Sequence, residues 1–358
     1  MELVLFRTIR IWKGDFIMKA TQEKEADLGN SSIGKLLFKL ALPAILAQII
    51  NVMYNMVDRM YIGHIADVGP SALTGVGVTM PLIMAISAFA ALVSMGGAPR
   101  ASIMMGKGDK ETAEKILGNC TTMLVLMAAV LTAVILLFGK PILLMFGASD
   151  NTIGYAWDYM SIYAMGTIFV QISLGLNAFI NAQGYARTGM LTVAIGAICN
   201  IILDPILIFG LDMGVKGAAL ATILSQAVSF VWVLRFLTSG KSFLRIRKGY
   251  LKLSADIILP CIGLGVSPFI MQFTESIISV CFNTSLLKYG GDIAVGAMTI
   301  MTSVMQFSML PLQGLTQGAQ PIISFNYGAG NIERVKKAFR LLLASSLVYS
   351  TLLWAIAM

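Results

Sequence analysis

The feature that most limits what this chain can become is the return of apolar stretches about 20 residues long along almost its whole length, each enough to cross a hydrocarbon core of about 30 Å as a helix. We read about nine such spans, near residues 33–63, 71–99, 112–138, 152–182, 187–211, 215–238, 254–288, 292–323 and 334–357. Each is taken as helical because a lone segment in lipid must satisfy its own backbone hydrogen bonds, and the short alternating segments of a barrel are absent. Composition agrees: of 358 residues, 57% are apolar and 12% charged, where a soluble domain carries about 25% charge. Mean hydropathy is +0.81. The expected fold class is therefore an all-α integral membrane protein.

The net charge of +8 raises the question of a nucleic-acid partner, and the placement of the cations answers it against one. The tail up to Lys39 holds seven Lys and Arg, and the next connectors of the same parity hold Arg100, Lys107, Lys110 and Lys115, then Arg187. Further on come Arg235, Lys241, Arg245, Arg247, Lys248 and Lys252, and finally Arg334, Lys336, Lys337 and Arg340. That side carries 22 of the 26; the opposite connectors carry only Lys140, Lys216 and Lys288, and Arg59 falls inside a span. This is the positive-inside pattern, which predicts a multi-pass plasma-membrane protein with a cytoplasmic N-terminus. No charged and apolar run followed by a small-residue cleavage site opens the chain, so no cleaved signal peptide is expected, and Met18 is a candidate start.

Shifted by 222, the chain repeats itself. Gly96, Pro99, Ser102, Gly106, Gly108, Glu111 and Lys115 fall on Gly318, Pro321, Ser324, Gly328, Gly330, Glu333 and Lys337, seven identities in the 23 positions 94–116. A shift of 225 superposes Pro43 on Pro268, Asp58 on Asn283 and Ile50 on Glu275. Six spans separate equivalent points, so both copies share one orientation, as in transporters built from parallel repeats. The expected organisation is a tail at 1–32, a six-helix N-lobe at 33–238, a basic linker at 239–253 and a partial C-lobe at 254–358 holding helices 7–9. If the second copy is complete, three more helices belong beyond Met358.

Asp58, Asp204 and Glu275 lie inside spans, where a carboxylate costs about 2.5–3.5 kcal/mol. One reading is a cation or proton site; the other is a structural bond between helices. In N-I-I-L-D-P, Asn200 and Asp204 are four apart and share a helical face, and Pro205 frees the carbonyl of Ile201. An amide, a carboxylate and a free carbonyl are hard oxygen donors suited to Na+ or a proton-linked water. Span four carries Asn177 and Asn181 on neighbouring turns with Gln183 beyond, a polar face expected to look into the lobe. Span six offers Thr222, a candidate ligand or a side chain bonded to its own backbone. His64 suits an interface role, Trp157 the aromatic belt, and Tyr54, Tyr61, Tyr163, Phe307 and the 23 Met either line an adaptable cavity or pack.

No P-loop, H-E-x-x-H or G-x-S-x-G motif is present, so the chain is not expected to be an enzyme or to use ATP, and an ion gradient is the expected energy source. Cys120, Cys199, Cys261 and Cys281 stand singly in spans without metal-ligand spacing, so no cofactor and no metal beyond Na+ is expected.

From about Ser32 the chain resembles the multidrug and toxic compound extrusion (MATE) transporters. The segments that carry the likeness are L-A-L-P-A-I-L-A-Q-I-I-N-V-M-Y-N-M-V-D, G-K-G-D-K-E-T-A-E-K, N-I-I-L-D-P-I-L-I-F-G, G-V-K-G-A-A-L-A-T and Q-G-A-Q-P-I-I-S-F-N-Y-G-A-G-N-I-E-R-V-K. The resemblance implies twelve helices in two lobes and export of cationic amphiphilic compounds, such as antibiotics, in exchange for Na+ or H+, by a monomer in the lipid bilayer. It places an N-lobe cation site on Asp58, Asn200, Asp204 and Thr222, with Asn177 as a looser match, and a second-lobe acid on Glu275. The alternative is a flippase for a lipid-linked saccharide in a related two-lobe frame. Such a protein needs several cavity cations to hold phosphate, and here only Arg59 qualifies.

Overall fold

The computed structural model describes residues 27–66 and 68–357, and no strand occurs among them. The helices are α1 (Ile33–Gly63), α2 (Gly69–Gly106), α3 (Lys110–Met145), α4 (Ile153–Met165), α5 (Thr167–Ala182), α6 (Ala186–Pro205), α7 (Gly214–Thr238), α8 (Ala255–Gly328) and α9 (Ile332–Ala357). Local chemistry sets several ends. Pro70 opens α2, where a missing N–H costs nothing. Asp109 caps α3 by accepting the Thr112 N–H at 3.0 Å, and that bond holds its carboxyl below the usual carboxylate range. Glycines in the left-handed region, Gly108 and Gly330 at φ 79° and 75°, close the equivalent turns after α2 and α8.

Seven helical segments among the described residues are long and apolar enough to span a membrane, or eight when the bent pair α4–α5 is taken as one broken span. The expected count of about nine is therefore not reached by that measure. The bend of 59° falls at Gly166, where a Cβ would run into the side chain of Ile223. The break expected near 289–291 is helical, so spans seven and eight lie within one 74-residue element. That element doubles back. Gly96 of α2 sits against the carbonyl of Cys261, and Gly106, ten residues on, against the carbonyl of Phe325. At 1.5 Å per residue those two points of α8 would be about 96 Å apart along a straight helix. Its path must reverse between them, so it has two legs along α2.

The contacts between helices repeat with the sequence. Gly106 meets the backbone of Phe325 and Gly328 meets that of Ile103, a reciprocal pair under the 222 shift, and Ser102 Oγ donates to Pro321 O at 3.5 Å beside them. Gly96 against Cys261 is matched by Gly318 against Ala41, and Gly265 against Leu92 by Gly314 against Ile45. Both of the latter pairings set helix one against its copy at a shift of 220, not the 225 that aligned the prolines. Asp58 then corresponds to Ile278, and Glu275 to Asn55, one turn away on the same face.

Buried apolar side chains gather in three clusters. One joins α2, α3, α5 and α7 with Leu244 and the start of α8. A second fills the far end of the bundle, from Ile62 and Val76 to Ile135, Met160 and Val215. The third seats the start of α1 against Ala319, Ile322 and Ala338. Residues 239–254 lie strapped along the first: Gln183 Oε1 accepts the Leu244 N–H at 2.7 Å and the Ser242 hydroxyl at 3.0 Å, buried Glu114 pairs with Arg247 at 2.5 Å, and Asn119 Oδ1 accepts the Ser254 N–H at 2.7 Å. Although scattered in sequence, Cys120 of α3 and Cys261 of α8 are close neighbours; the Cys261 thiol donates to Ile257 O at 3.1 Å, and both cysteines are free.

Candidate functional site

Asp58, late in α1, and Asp204, at the end of α6, come together because α1 packs along α6. Both are buried and lie within electrostatic reach of each other. The four-residue spacing of N-I-I-L-D holds: Asn200 Nδ2 donates to Asp204 Oδ1 at 3.1 Å. What is left over defines the site. Asp58 Oδ1, Asp204 Oδ2 and Asn200 Oδ1 are buried without a hydrogen-bond partner. Buried acceptors are nearly always paired, and three orphaned oxygens in one group form a set of donors for a cation or for protons.

Pro205 is the last residue of α6. The chain runs through it into a π-helical turn, Ile206–Gly210, closed by the Leu211 N–H on Ile206 O at 2.9 Å. Such turns stand where a helix absorbs a local irregularity. Gly217 of α7 packs on it, its missing side chain leaving room for the Leu207 carbonyl. From α7, Thr222 approaches the hydroxyl of Tyr159 of α4 closely enough to influence it. Tyr159 is in turn within electrostatic reach of Asp58, Tyr54 and Tyr163. It was not singled out in the sequence; with Tyr163 four residues on it makes a tyrosine pair on one face of α4, with rings stacked at 6.2 Å.

Other candidates sit elsewhere. Asn177 donates to Gly189 O at 3.2 Å, fastening α5 to α6, while its Oδ1 is buried and unpartnered. Asn181 lies against Gly189 as well, so both amides of span four meet α6 of the same lobe, while Gln183 holds the strap. Arg59 makes no ion pair with Asp58 within 4 Å among the described residues; its Nη2 reaches Met80 Sδ at 3.5 Å. His64 Nδ1 contacts Met60 O at 2.7 Å. Lys140 lies 5.6 Å over the Trp157 ring at the end of the bundle. Glu275 and Phe307 are exposed on α8, and no bond joins Glu275 to the Asp58 group among the described residues.

Parallel repeats meeting through reciprocal glycine contacts, with buried acids in one bundle, define a duplicated membrane protein of the kind that moves solutes. The MatE family model matches residues 43–206 and again 268–358, and the chain belongs to this family. Among its relatives is the Multidrug export protein MepA of Staphylococcus haemolyticus, 26% identical over 315 residues, which span 88% of this chain and 69% of that one. A solved chain called "protein A" is 31% identical with a TM-score of 0.87, covering 94% of this chain and 75% of its own. The outward-facing conformation of a multidrug resistance MATE family transporter of the MOP superfamily has the same fold, with a TM-score of 0.86 at 23% identity over 94% of this chain and 75% of that one.

Proposed function

We propose that this protein is a secondary exporter of cationic amphiphilic compounds, driven by Na+ or H+ entering at Asp58, Asn200, Asp204 and Thr222, with Asn177 at the margin and Glu275 as an acid of the second lobe. Residues 33–238 form the N-lobe, 254–358 belong to the C-lobe and 239–253 join them, with residues 1–32 and the linker cytoplasmic. The observation that carries the reading is the trio of orphaned oxygens on Asp58, Asp204 and Asn200. Two neighbouring carboxylates repel each other in a poorly solvated site, and a bound cation or proton relieves that cost. An organic cation draws on the same negative charge, so ion and compound compete, and exchange follows when each favours a different lobe arrangement.

The test is ethidium efflux from cells making the whole protein. Efflux is expected to collapse with the ion gradient. It should fall about tenfold or more in Asp58→Asn or Asp204→Asn at unchanged membrane abundance, as loss of a charge-assisted contact of roughly 1.5–3 kcal/mol requires. Full efflux in both variants sinks the reading. Removing Na+ while holding pH then identifies the ion.

A further inference from the structure

At the end of the molecule that carries the strap, far from the acids, a cavity of about 490 Å³ opens between the start of α1 and the start of α9. Its walls are Ser32, Ile33, Glu333, Arg334, Lys336, Lys337 and Arg340. Four cations and one acid give a net charge of +3, and Glu333 is engaged with Lys336 at 3.2 Å. Ser32 caps α1 without a side-chain bond, so its hydroxyl and the first N–H groups of a 31-residue helix face the same space, a setting that favours an anion. Arg334 is oriented by Asn326 Oδ1 at 2.9 Å and Ser31 O at 2.7 Å.

The internal repeat shows what is unusual here. Under the 222 shift Lys336, Lys337 and Arg340 correspond to Glu114, Lys115 and Gly118 of α3. There the surface is covered by the chain itself: Arg247 neutralises Glu114, the Tyr250 carbonyl lies on Gly118, and Lys115 sits 5.7 Å from the Tyr250 ring. In the second copy the acid has become a lysine and the glycine an arginine, and among the described residues no segment covers the place. From this contrast we infer that the cavity is a binding site for a phosphate group, presented by the headgroup of an anionic phospholipid or by free phosphate. Arg340 offers a planar donor fork to the oxygens and Lys337 adds a point charge, while Arg334, whose Nε and Nη2 are taken up by Asn326, Leu28 and Ser31, contributes its fixed charge. Basic pockets between helices at a membrane surface hold anionic headgroups in this way.

Native mass spectrometry of the whole protein, delipidated and offered phosphatidylglycerol or phosphatidylcholine of the same acyl chains, tests this, with a parallel thermal-shift titration of inorganic phosphate. Phosphatidylglycerol should be retained about tenfold over phosphatidylcholine, and Lys337→Gln with Arg340→Gln should abolish the preference. Lys337→Arg with Arg340→Lys should keep it, which separates charge from folding. Saturable stabilisation by phosphate, lost in the neutral double variant, without lipid preference assigns the site to free phosphate. Equal retention of both lipids with no response to phosphate overturns the inference, as does an unchanged lipid preference in the neutral double variant.

Discussion

Asp204 has one oxygen held by Asn200 and the other free, which makes Asn200 the side chain that keeps the carboxylate aimed. Asn200→Ala would leave both oxygens buried without a partner, at about 1–3 kcal/mol. The whole protein in detergent should then melt several degrees lower, with part of the loss recovered by saturating the coupling cation. An unchanged melting temperature would show that Asn200 does not position Asp204. The two acids were legible because a charge inside a span is expensive, so each must have a structural reason. Tyr159 was not, since an aromatic in an apolar run usually packs, and only its nearness to Asp58 and Thr222 distinguishes it. Spacing did not name the partners of Asn177, Asn181 and Gln183 for a related reason: an amide has several bonding directions, and sequence alone does not say which neighbour fills them.

At the scale of elements, helix lengths and the broken fourth span follow from apolar runs and from Gly166, and the reversal of α8 falls where the sequence placed a break, around Gly290 and Gly291; what the sequence did not show is that the backbone stays helical through it. The strap was visible only as a run of basic residues. Its docking depends on Gln183, buried under it, whose Oε1 accepts from both Ser242 and Leu244. Gln183→Ala leaves the Leu244 N–H without an acceptor and the Ser242 hydroxyl with only the Leu244 carbonyl at 2.7 Å, and should cost about 1–3 kcal/mol. The expected outcome is faster trypsin cleavage at Arg245, Arg247 and Lys248 in inside-out vesicles, with transport spans left intact. Cleavage no faster than in the unaltered protein would mean that Glu114 and Asn119 hold the strap without it.

On the scale of the whole molecule the repeat was readable, but its register was not: proline matching gave 225 for the first helix, whereas paired backbone contacts give 220. Prolines tolerate displacement along a helix, but glycines at a crossing do not, since a Cβ at Gly106 or Gly328 would strike the opposite carbonyl. The two halves are thus locked at the strap end by reciprocal close contacts, and the exchange cycle proposed above requires them to part there. Cys120 and Cys261, close neighbours across that junction, provide a reporter. In a Cys199→Ser, Cys281→Ser background, a membrane-permeant oxidant should join the remaining pair and remove both free thiols. If the halves must separate, the cross-linked protein should lose more than about nine-tenths of its exchange, since the state required by the other half of the cycle is no longer reachable, and a reductant should restore it. Cys120→Ser should make the same protein indifferent to the oxidant. Cross-linking that goes to completion while exchange continues at its former rate would mean that α3 and the first leg of α8 travel together, and that the halves part only along the glycine crossing of α2 and the second leg.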